Sequence, residues 1–580
     1  MKKLEFYRKI WISLLACLFF ISLNSCENGP KKDNFIRVRL ADNPDNLNPL
    51  FSKSASGQQI IQHLYLSLGR FDPQTLNLIP VLAENLPLKS KSDMEAHKDC
   101  FKWTLRIREN AKWQDGKNID VDDVLYTFKT IANPALVGIN SKSTLANLRH
   151  IAKHESDPQG LAFYIDSTDI LSPISICDVP ILPRHIYDPN GEMNEISLMD
   201  ILKISPTDTS SITLKKLSKM ADVWKSPAGI KGKMIGSGPY ALTKWEPNNF
   251  LEIEKIENWW GDDKVYPALT PRIRYQVIQD ERTAIAALNS DGLDVLSELP
   301  SLAFVQAKQD PKISSKYDFY NPEILQYFYI SLNNSNPILA HANTRNALAR
   351  MVPIDAIIKN SFAGMAKKIV GPIHPIRPYY NTDLKPLDFD SLGAREYLQK
   401  AGWTDSDKDG ILDKMVGKKR IPFVLRFLTT QKALGKDIAL IFQQYTAKFG
   451  VKVDIQALDA PALIKEVKSG NYECAALATK LYPGVEDLYG SWFSYSVNHD
   501  RTNYARIEDP VLDQLILATK ETTDNEQLTK IFREFQAEVY KQQPIIFLCA
   551  PLEKLIVSKK WKPSISAIRP GYFENAFEHL

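Results

Sequence analysis

The residues best suited to chemistry are four aspartates around a glycine: Asp405, Asp407, Asp409 and Asp413. Their spacing places carboxylates at the first, third, fifth and ninth positions of a loop like that of an EF-hand, and Ca²⁺ prefers such oxygen ligands. Val416 stands where that loop carries its bidentate glutamate. The pattern predicts either a structural calcium site or a hydrated acidic turn, and both interpretations stay open.

Motifs for covalent catalysis, phosphate binding and zinc binding are missing from the sequence. Ser237 lies between two glycines but lacks the Gly-x-Ser-x-Gly spacing of a nucleophile elbow, and no Gly-x-x-x-x-Gly-Lys-(Ser/Thr) loop occurs. His150 and His154 are four residues apart, but no glutamate adjoins the first and no third ligand is near. We therefore predict no catalytic residues and no required cofactor.

The overall composition indicates a globular protein of more than one domain. The chain has 580 residues, of which 44% are hydrophobic and 24% charged, enough to bury large cores. A net charge of +4 over this length gives no electrostatic case for nucleic acid. Four cysteines beyond the N-terminal segment form no Cys-x-x-Cys pair, and any disulfide pairing among them stays open: Cys100, Cys177, Cys474 and Cys549.

The N-terminal residues predict export. Four lysines and arginines precede an apolar run from Ile10 to Ser22, which is shorter than the ~20 residues of a membrane-spanning helix and typical of a signal peptide. The run ends in Leu23-Asn24-Ser25-Cys26, which resembles the lipobox of bacterial lipoproteins. That resemblance implies cleavage after residue 25 and acylation of Cys26. The alternative is an ordinary secretory signal with an incidental cysteine.

Residues 236–261, GSGPYALTKWEPNNFLEIEKIENWWG, predict a β-hairpin. Gly236 and Gly238 predict a sharp turn because glycine accepts positive φ. Two alternating segments flank the turn residues Glu246 to Asn249, and the segment ends in Trp259-Trp260.

Helix-turn-strand patterns recur through the rest of the chain and favour an α/β architecture. Residues 101–108 alternate as a half-buried strand, and Asp120 or Asp122 can cap the helix that follows. Further helices are predicted after Asp280 and at 344–358, 390–401, 437–449, 512–519 and 527–540.

Several separated motifs resemble the peptide and nickel class of ABC-transporter solute-binding proteins. The first is the hairpin, with its Gly-Ser-Gly-Pro-Tyr turn, its tryptophan and its Asn-x-Trp-Gly-like end. Others follow the family's order along the chain: Pro-x-Leu-Ala-Glu at 80–84, Trp-x-Asp-Gly at 113–116, and Leu-Pro-x-His at 182–185. The resemblance extends from Phe35 to the C-terminus.

This resemblance implies a bilobal periplasmic-binding-protein fold, class II-like and of type C, with a hinged ligand cleft. The predicted divisions are a signal peptide at 1–25, a lipid-anchored tether at 26–34, a first lobe at 35–70, 191–326 and 544–580, its inserted subdomain at 71–190, and a second lobe at 327–543.

The resemblance also suggests where a ligand binds. In the peptide binders a Trp-x-x-Asp-Tyr segment of the second lobe supplies an aspartate for the peptide's α-ammonium. Here Thr479 holds the tryptophan position, and Tyr482 or Pro483 holds that of the aspartate. Glu486 or Asp487 can replace the missing carboxylate.

Aromatic residues crowd the same segment, either as part of the core or as a cleft wall that stacks on the ligand. The candidates on this wall are Tyr482, Tyr489 and Trp492, with Asn498 to pair with polar atoms. From the first lobe, Phe51, Ser54 and Ala55 are expected to face them, in a segment that offers backbone hydrogen bonds to a peptide.

The function implied is non-enzymatic: capture of an oligopeptide between the lobes and delivery to an ABC permease. The alternatives are a non-peptide solute, such as a metal chelate or a saccharide, and an extracytoplasmic hydrolase. The protein is expected to be a monomer in the bacterial cell envelope, anchored by lipid and facing the periplasm.

Overall fold

Two mixed β-sheets, each flanked by helices, form the frame of the protein. The computed structural model describes residues 35–139, 145, 147–166, 171–205, 207, 211–225, 234–262, 264–494, 502–522 and 524–580. The predicted signal peptide, Cys26 and the tether lie outside these residues.

The first sheet has seven strands and draws them from the beginning, the middle and the end of the chain. Its central strand, Ile36–Leu40, pairs in parallel with Arg272–Val277 and with Val295, and the other pairs are antiparallel. Ile36 and Val38 are fully buried in its core. The order across the sheet is Tyr317–Tyr320, Leu555–Ser558, Val295–Leu296, Ile36–Leu40, Arg272–Val277, Phe250–Lys255 and Tyr240–Glu246.

The second sheet has six strands. A parallel pair, Val424–Thr430 and Lys452–Leu458, is joined by the helix Ala433–Thr446, as a βαβ unit requires. The order across the sheet is Ala366–Lys368, Ile545–Pro551, Gln326–Leu332, Cys474–Lys480, Val424–Thr430 and Lys452–Leu458. We call the elements around this sheet the second lobe, and those around the seven-stranded sheet, with its inserted subdomain, the first lobe.

The chain crosses between the lobes twice, and the two crossings lie side by side. The first follows Tyr320, and the second precedes Leu555. An isolated antiparallel bridge joins Glu323 to Leu552, and the Asn321 side-chain amide donates to the Glu553 carbonyl at 3.1 Å. Paired strands of this kind can bend together as a hinge.

The second crossing lies later than the residue 544 that we predicted. Strand Ile545–Pro551 pairs antiparallel with Gln326–Leu332 and with Ala366–Lys368 in the second sheet. All seven of its residues are buried, which suits an interior position in this sheet. The first sheet is joined again only at Leu555–Ser558.

The inserted subdomain contains an antiparallel sheet of Leu88–Lys91, Phe101–Arg106, Gly160–Ile165 and Leu148–Lys153. The predicted alternation is confirmed at Trp103 and Leu105, which are buried in its core. The helix Val121–Ala132 packs in the same core and begins at the predicted cap Asp120, which forms a capping box with Asp123.

Short elements complete the fold. Small two-stranded ladders join Gly69–Phe71 to Leu78–Pro80, Asp413–Val416 to Lys419–Pro422, and Trp561–Lys562 to Glu578–His579. The other α-helices are Ala55–Leu64, Ser172–Cys177, Arg184–Tyr187, Leu198–Lys203, Ile212–Lys225, Glu281–Asn289, Ser301–Gln309, Pro311–Ser314, Ala342–Met351, Ile354–Phe362, Ser391–Lys400, Ala460–Ser469, Tyr489–Trp492, Pro510–Glu521 and Asn525–Gln542. The 3₁₀ turns are Glu95–His97, Glu192–Glu195, Ala447–Phe449 and Glu574–Ala576.

One predicted helix is wrong. The segment 344–358 forms two helices, Ala342–Met351 and Ile354–Phe362, instead of one. Pro353 separates them, because proline disfavours helical conformation in the residue before it and lacks an amide hydrogen.

Among the described residues, every helix is too short or too polar to cross a bilayer. The four cysteines whose pairing was left open are all buried free thiols.

The predicted hairpin is confirmed, but its glycines serve another purpose than positive φ. Strands Tyr240–Glu246 and Phe250–Lys255 pair antiparallel. The amides of Ser237 and Gly238 donate to the Leu64 carbonyl at 3.0 and 2.9 Å. A Cβ at Gly236 would overlap the Leu64 carbonyl oxygen, so the glycines are needed for close backbone approach.

We expect Gly238→Ala to lower the free energy of unfolding of the first lobe by about 2–3 kcal/mol, because its Cβ would overlap the His63 carbonyl oxygen. Urea denaturation followed by tryptophan fluorescence measures the change. The matched control is Gly371→Ala, whose Cβ would lie 3.8 Å from the Gln536 side chain. Equal stability of the two variants would refute the close-approach argument.

Candidate functional site

A cavity of about 560 Å³ lies where a loop of the second lobe meets the first lobe. This volume is within the range of about 300–1,000 Å³ that is usual for ligand pockets. Aromatic side chains form much of its wall, and polar groups come from Gln58 and Gln62 on the helix Ala55–Leu64. Its charged residues are Lys53, Arg70 and Asp178.

Arg377 holds the loop of the second lobe that reaches the cavity. Its guanidinium donates to three successive carbonyls, those of Tyr482, Pro483 and Gly484, at 2.6 to 2.7 Å. It also donates through Nε to Glu486 at 2.8 Å. One buried side chain therefore fixes the loop 482–486.

Glu486 completes this arrangement from within the loop. Burial raises the pKa of its carboxyl, while the charge of Arg377 and a hydrogen bond from the Tyr379 hydroxyl oppose the rise. Both the carboxylate and the guanidinium are buried, so each depends on the other for its stability.

The loop contacts the first lobe directly. The Tyr482 hydroxyl donates to the Asp178 carboxylate, and the rings of Tyr482 and Phe71 meet edge to face with their centroids 5.1 Å apart. Gly484 also packs closely on the first lobe, where a Cβ would lie 2.7 Å from Ile174 Cδ1 and 3.1 Å from the Phe71 ring. The two lobes are therefore closed on each other around the cavity.

Asp178 is open to the cavity but surrounded by protein. Desolvation raises the pKa of its carboxyl to about 6, and the hydrogen bond from Tyr482 acts in the opposite direction. The group is therefore mostly ionised at neutral pH and able to pair with a cation.

Arg70 is the cavity's second interior charge. Its Nε is buried and lacks a hydrogen-bond partner among the described residues. The guanidinium lies over the Tyr266 ring, 5.0 Å from its centroid. Desolvation lowers the pKa of Arg70 from its ordinary value, against the attraction of Tyr266 and Asp72.

A buried polar network supports the ring beneath Arg70. The Tyr266 hydroxyl lies 2.8 Å from His63 Nδ1, and His63 Nε2 lies 3.5 Å from Glu574. Glu574 also accepts hydrogen bonds from Tyr275 at 2.6 Å and Gln59 at 2.9 Å. The C-terminal segment thus fixes one wall of the cavity.

The predicted segment of the first lobe, residues 51–55, borders the cavity, and its role in ligand binding stays a prediction. Ser54 is the N-cap of the helix Ala55–Leu64, and Phe51 packs against the core that includes the inserted subdomain. Their neighbours Ser52 and Lys53 line the cavity instead. The segment is held by Asp45, which accepts from the Lys53 amide at 2.7 Å.

Among the predicted ligand-binding residues that the structure describes, Tyr482 alone lines the cavity. Asp487 accepts a hydrogen bond from the Tyr489 amide at 3.0 Å, and the Tyr489 ring stacks on Phe493. Trp492 is buried in the core of the second lobe, and Glu486 is paired with Arg377. Asn498 lies outside the described residues.

The sequence reasoning missed Arg70 and Asp178. Each is a single charged residue beside apolar ones, Arg70 between Gly69 and Phe71 and Asp178 between Cys177 and Val179. A single charged residue within an apolar segment can indicate a buried functional group.

The acidic loop lies in the second lobe, outside the cavity. Ligand oxygens of Asp405, Asp407 and Asp413 are within 4.8 Å of one another, whereas Asp409 is not part of this group. Arg420 donates to both Asp407 and Asp413 at 2.6 Å, and its hydrogen bond lowers the pKa of Asp413 to about 2. The guanidinium thus occupies part of the position that a cation would take.

Comparison with known proteins gives consistent matches in sequence. The family model for bacterial extracellular solute-binding proteins, family 5 (middle part), matches residues 77–499. The oligopeptide-binding protein AppA of Bacillus subtilis is 23% identical over 558 residues, which cover 93% of this chain and 91% of AppA. The glutathione-binding protein GsiB of Salmonella paratyphi A is 23% identical over 534 residues, covering 90% and 89%.

Solved structures agree with the fold. AppA of Bacillus subtilis in complex with a nonapeptide superposes with a TM-score of 0.67 at 21% identity, covering 94% of this chain and 99% of AppA. NikZ of Campylobacter jejuni in complex with Ni(L-His) gives a TM-score of 0.66 at 19% identity, covering 94% and 99%. The predicted bilobal α/β fold is confirmed.

We expect Arg377→Met to lower the free energy of unfolding of the second lobe by about 3–5 kcal/mol, because Glu486 is left buried without its partner. Arg377→Lys keeps the charge but cannot donate to all four groups, so its loss should be smaller. Urea denaturation measures both. The control is Arg395→Met on the exposed face of a helix, and a loss at Arg377 no larger than this control would contradict the prediction.

We expect Tyr482→Phe to favour the open form, because it removes the hydroxyl that donates to Asp178 across the cleft. A hydrogen bond to a charged group contributes about 1.5–3 kcal/mol, so the ratio of closed to open molecules should fall by about one to two orders of magnitude. Small-angle X-ray scattering without ligand should show a larger radius of gyration. Tyr397→Phe, on the helix Ser391–Lys400, is the control; an unchanged profile for Tyr482→Phe would reject this role.

The calcium site stays a prediction. If the acidic loop binds Ca²⁺, we expect the ion to raise the melting temperature of Arg420→Gln by more than that of the unmodified chain, since the variant frees Asp407 and Asp413. Thermal unfolding with Ca²⁺ and with a chelator measures the shift. If neither protein melts at a different temperature in Ca²⁺ than in chelator, the loop is a hydrated acidic turn.

Proposed function

The chain belongs to family 5 of the bacterial extracellular solute-binding proteins, and on this premise we propose that it captures an oligopeptide and delivers it to an ABC transporter permease. The observation that carries the proposal is the cavity closed between the two lobes by the loop 482–486. A solute enclosed between the lobes stabilises the closed form. A transporter can then distinguish the closed, loaded protein from the open, empty one.

The character of the cavity supports a peptide as the solute. A peptide has charged termini, amide groups and side chains of mixed polarity. The cavity offers an aspartate, an arginine, the amides of Gln58 and Gln62, and aromatic walls such as Tyr65 and Phe573. The names of AppA and GsiB state that those relatives bind oligopeptides and glutathione.

The same cavity supports binding without catalysis. Ser52 is among its hydroxyl groups, and it donates to the Asp45 carboxylate at 2.7 Å. Although desolvation opposes the change, hydrogen bonds from the Lys53 amide and the Ser52 and Ser54 hydroxyls lower the pKa of Asp45 to about 2, which makes it a weak base. His63 is fully buried and contacts Tyr266 and Glu574, and it is not among the residues that line the cavity. We propose that the chain is not an enzyme.

The proposal includes the location of the protein. Cleavage after residue 25 leaves Cys26 as a lipid anchor, with residues 26–34 as a tether to the folded lobes. The protein then acts as a monomer on the periplasmic side of the bacterial envelope, beside its permease.

The test is to identify the solute that the protein retains. The chain from residue 26 onward, with Cys26→Ser to prevent acylation, is purified and denatured, and the released solute is examined by mass spectrometry. We expect peptides. Release of a metal chelate or a saccharide instead, or of no solute at all, would overturn the assignment of a peptide ligand.

A variant that fills the cavity locates the retained solute. Gln62→Trp places a large side chain in the cavity from the helix Ala55–Leu64, and it should reduce the retained peptide at least tenfold. Gln399→Trp makes the same change on an exposed helix of the second lobe and should leave retention unchanged. Equal retention by both variants would place the solute elsewhere.

A further inference from the structure

Resting on the proposed function, we propose that Arg70 binds the C-terminal carboxylate of the captured peptide, and that the ligands are therefore short peptides with a free C-terminus enclosed in the cavity. The proposal goes beyond peptide binding in general, because it names the group that is recognised and the residue that recognises it. Three observations carry it: the lack of an ion pair at Arg70 among the described residues, its fixed position, and the charges around it.

Among the described residues, the Arg70 guanidinium contacts an aromatic ring but forms no ion pair with an acid. Its Nε is buried without an acceptor, and the ion pairs among the described residues do not include it. The carboxylate that acts on its pKa is that of Asp72, which already accepts from the amides of Gln74 and Thr75 at 2.9 and 2.7 Å. A buried Nε without an acceptor costs free energy, so its presence beside a cavity points to a ligand anion.

The guanidinium is also held in place before any ligand binds. Arg70 lies on the short strand Gly69–Phe71, and its side chain rests over the Tyr266 ring. That ring is fixed in turn by the contact between its hydroxyl and His63. A planar guanidinium held this way can donate two parallel hydrogen bonds to a carboxylate, with little entropy lost on binding.

The surrounding charges favour an anion at this position. The Asp178 carboxylate accepts a hydrogen bond from the Tyr482 hydroxyl, and it is not among the groups that shift the pKa of Arg70. Lys53 adds a second positive charge at an exposed part of the wall. A cationic group of the ligand would thus be repelled near Arg70, whereas a carboxylate would be attracted.

The size of the cavity adds the restriction to short peptides. A nonapeptide in extended form is about 30 Å long, at roughly 3.3 Å per residue. A cavity of about 560 Å³ has the volume of a pocket for a small molecule. A terminal carboxylate paired with Arg70 inside it leaves space for few residues.

The experiment compares two tripeptide pools built from non-acidic residues, one with free C-termini and one amidated. Native mass spectrometry measures their retention by the chain from residue 26 onward with Cys26→Ser. We expect at least tenfold preference for the free acids, and loss of this preference in Arg70→Met. Lys465→Met removes the same charge from the exposed face of the helix Ala460–Ser469, away from the cavity, and should change the preference no more than twofold.

The variants also separate recognition from folding. Arg70→Met removes an unpaired charge, so its melting temperature should be equal to that of the parent or higher. Arg70→Lys keeps the positive charge but not the two parallel donors of the guanidinium, so it should show an intermediate preference for free acids. If Arg70→Met does not fold, Arg70→Lys is compared with the parent protein instead.

Three outcomes would overturn the proposal. Equal retention of both pools by the parent protein would reject carboxylate recognition while leaving peptide capture intact. A preference that survives in Arg70→Met would reject the assignment to this residue. Retention of neither pool, with no peptide among the solutes released on denaturation, would reject the proposed function and this inference with it.

Discussion

The cavity depends on the bonds of one buried guanidinium. Arg377 donates to three successive backbone carbonyls and to Glu486, which fixes the loop 482–486 in a shape that a loop of this length does not keep by itself. That shape brings Tyr482 to Asp178 and lets Gly484 approach Ile174. The contact between the lobes, and with it the enclosed volume, thus follows from an interaction within the second lobe.

Much of the fold could be predicted because its signals are local. Asp280 and Asp390 cap the helices that follow them, and Gly402 and Gly450 have the positive φ expected after a helix end. The hairpin of residues 240–255 follows from its turn residues and alternating pattern. The break at Pro353 shows the limit of this reasoning, since a periodic apolar pattern continued across it.

The cavity could not be predicted to the same degree because its contacts join distant parts of the chain. Arg377 and Glu486 are 109 residues apart, and Tyr482 and Asp178 are 304 apart. An aromatic cluster such as that around Trp492 has the same composition whether it lines a cleft or fills a core, and here it fills the core of the second lobe. The turn at Ser237, by contrast, has a structural role: its carbonyl accepts from Trp259 and Trp260, and it packs on the helix that lines the cavity.

The two interior charges of the cavity are not equivalent toward a peptide, and this difference decides where the binding energy arises. The resemblance to the peptide binders implies an aspartate of the second lobe for the α-ammonium, but here Tyr482 or Pro483 holds that position. Asp178 contacts Tyr482 from the first lobe. An ammonium that binds Asp178 shares a carboxylate that already accepts from the Tyr482 hydroxyl, so its gain there is smaller than at a carboxylate with no other donor. A carboxylate at Arg70 displaces no protein group. Most of the binding free energy should therefore come from the peptide's carboxylate at Arg70. The peptide's ammonium group mainly affects the balance between the open and closed forms.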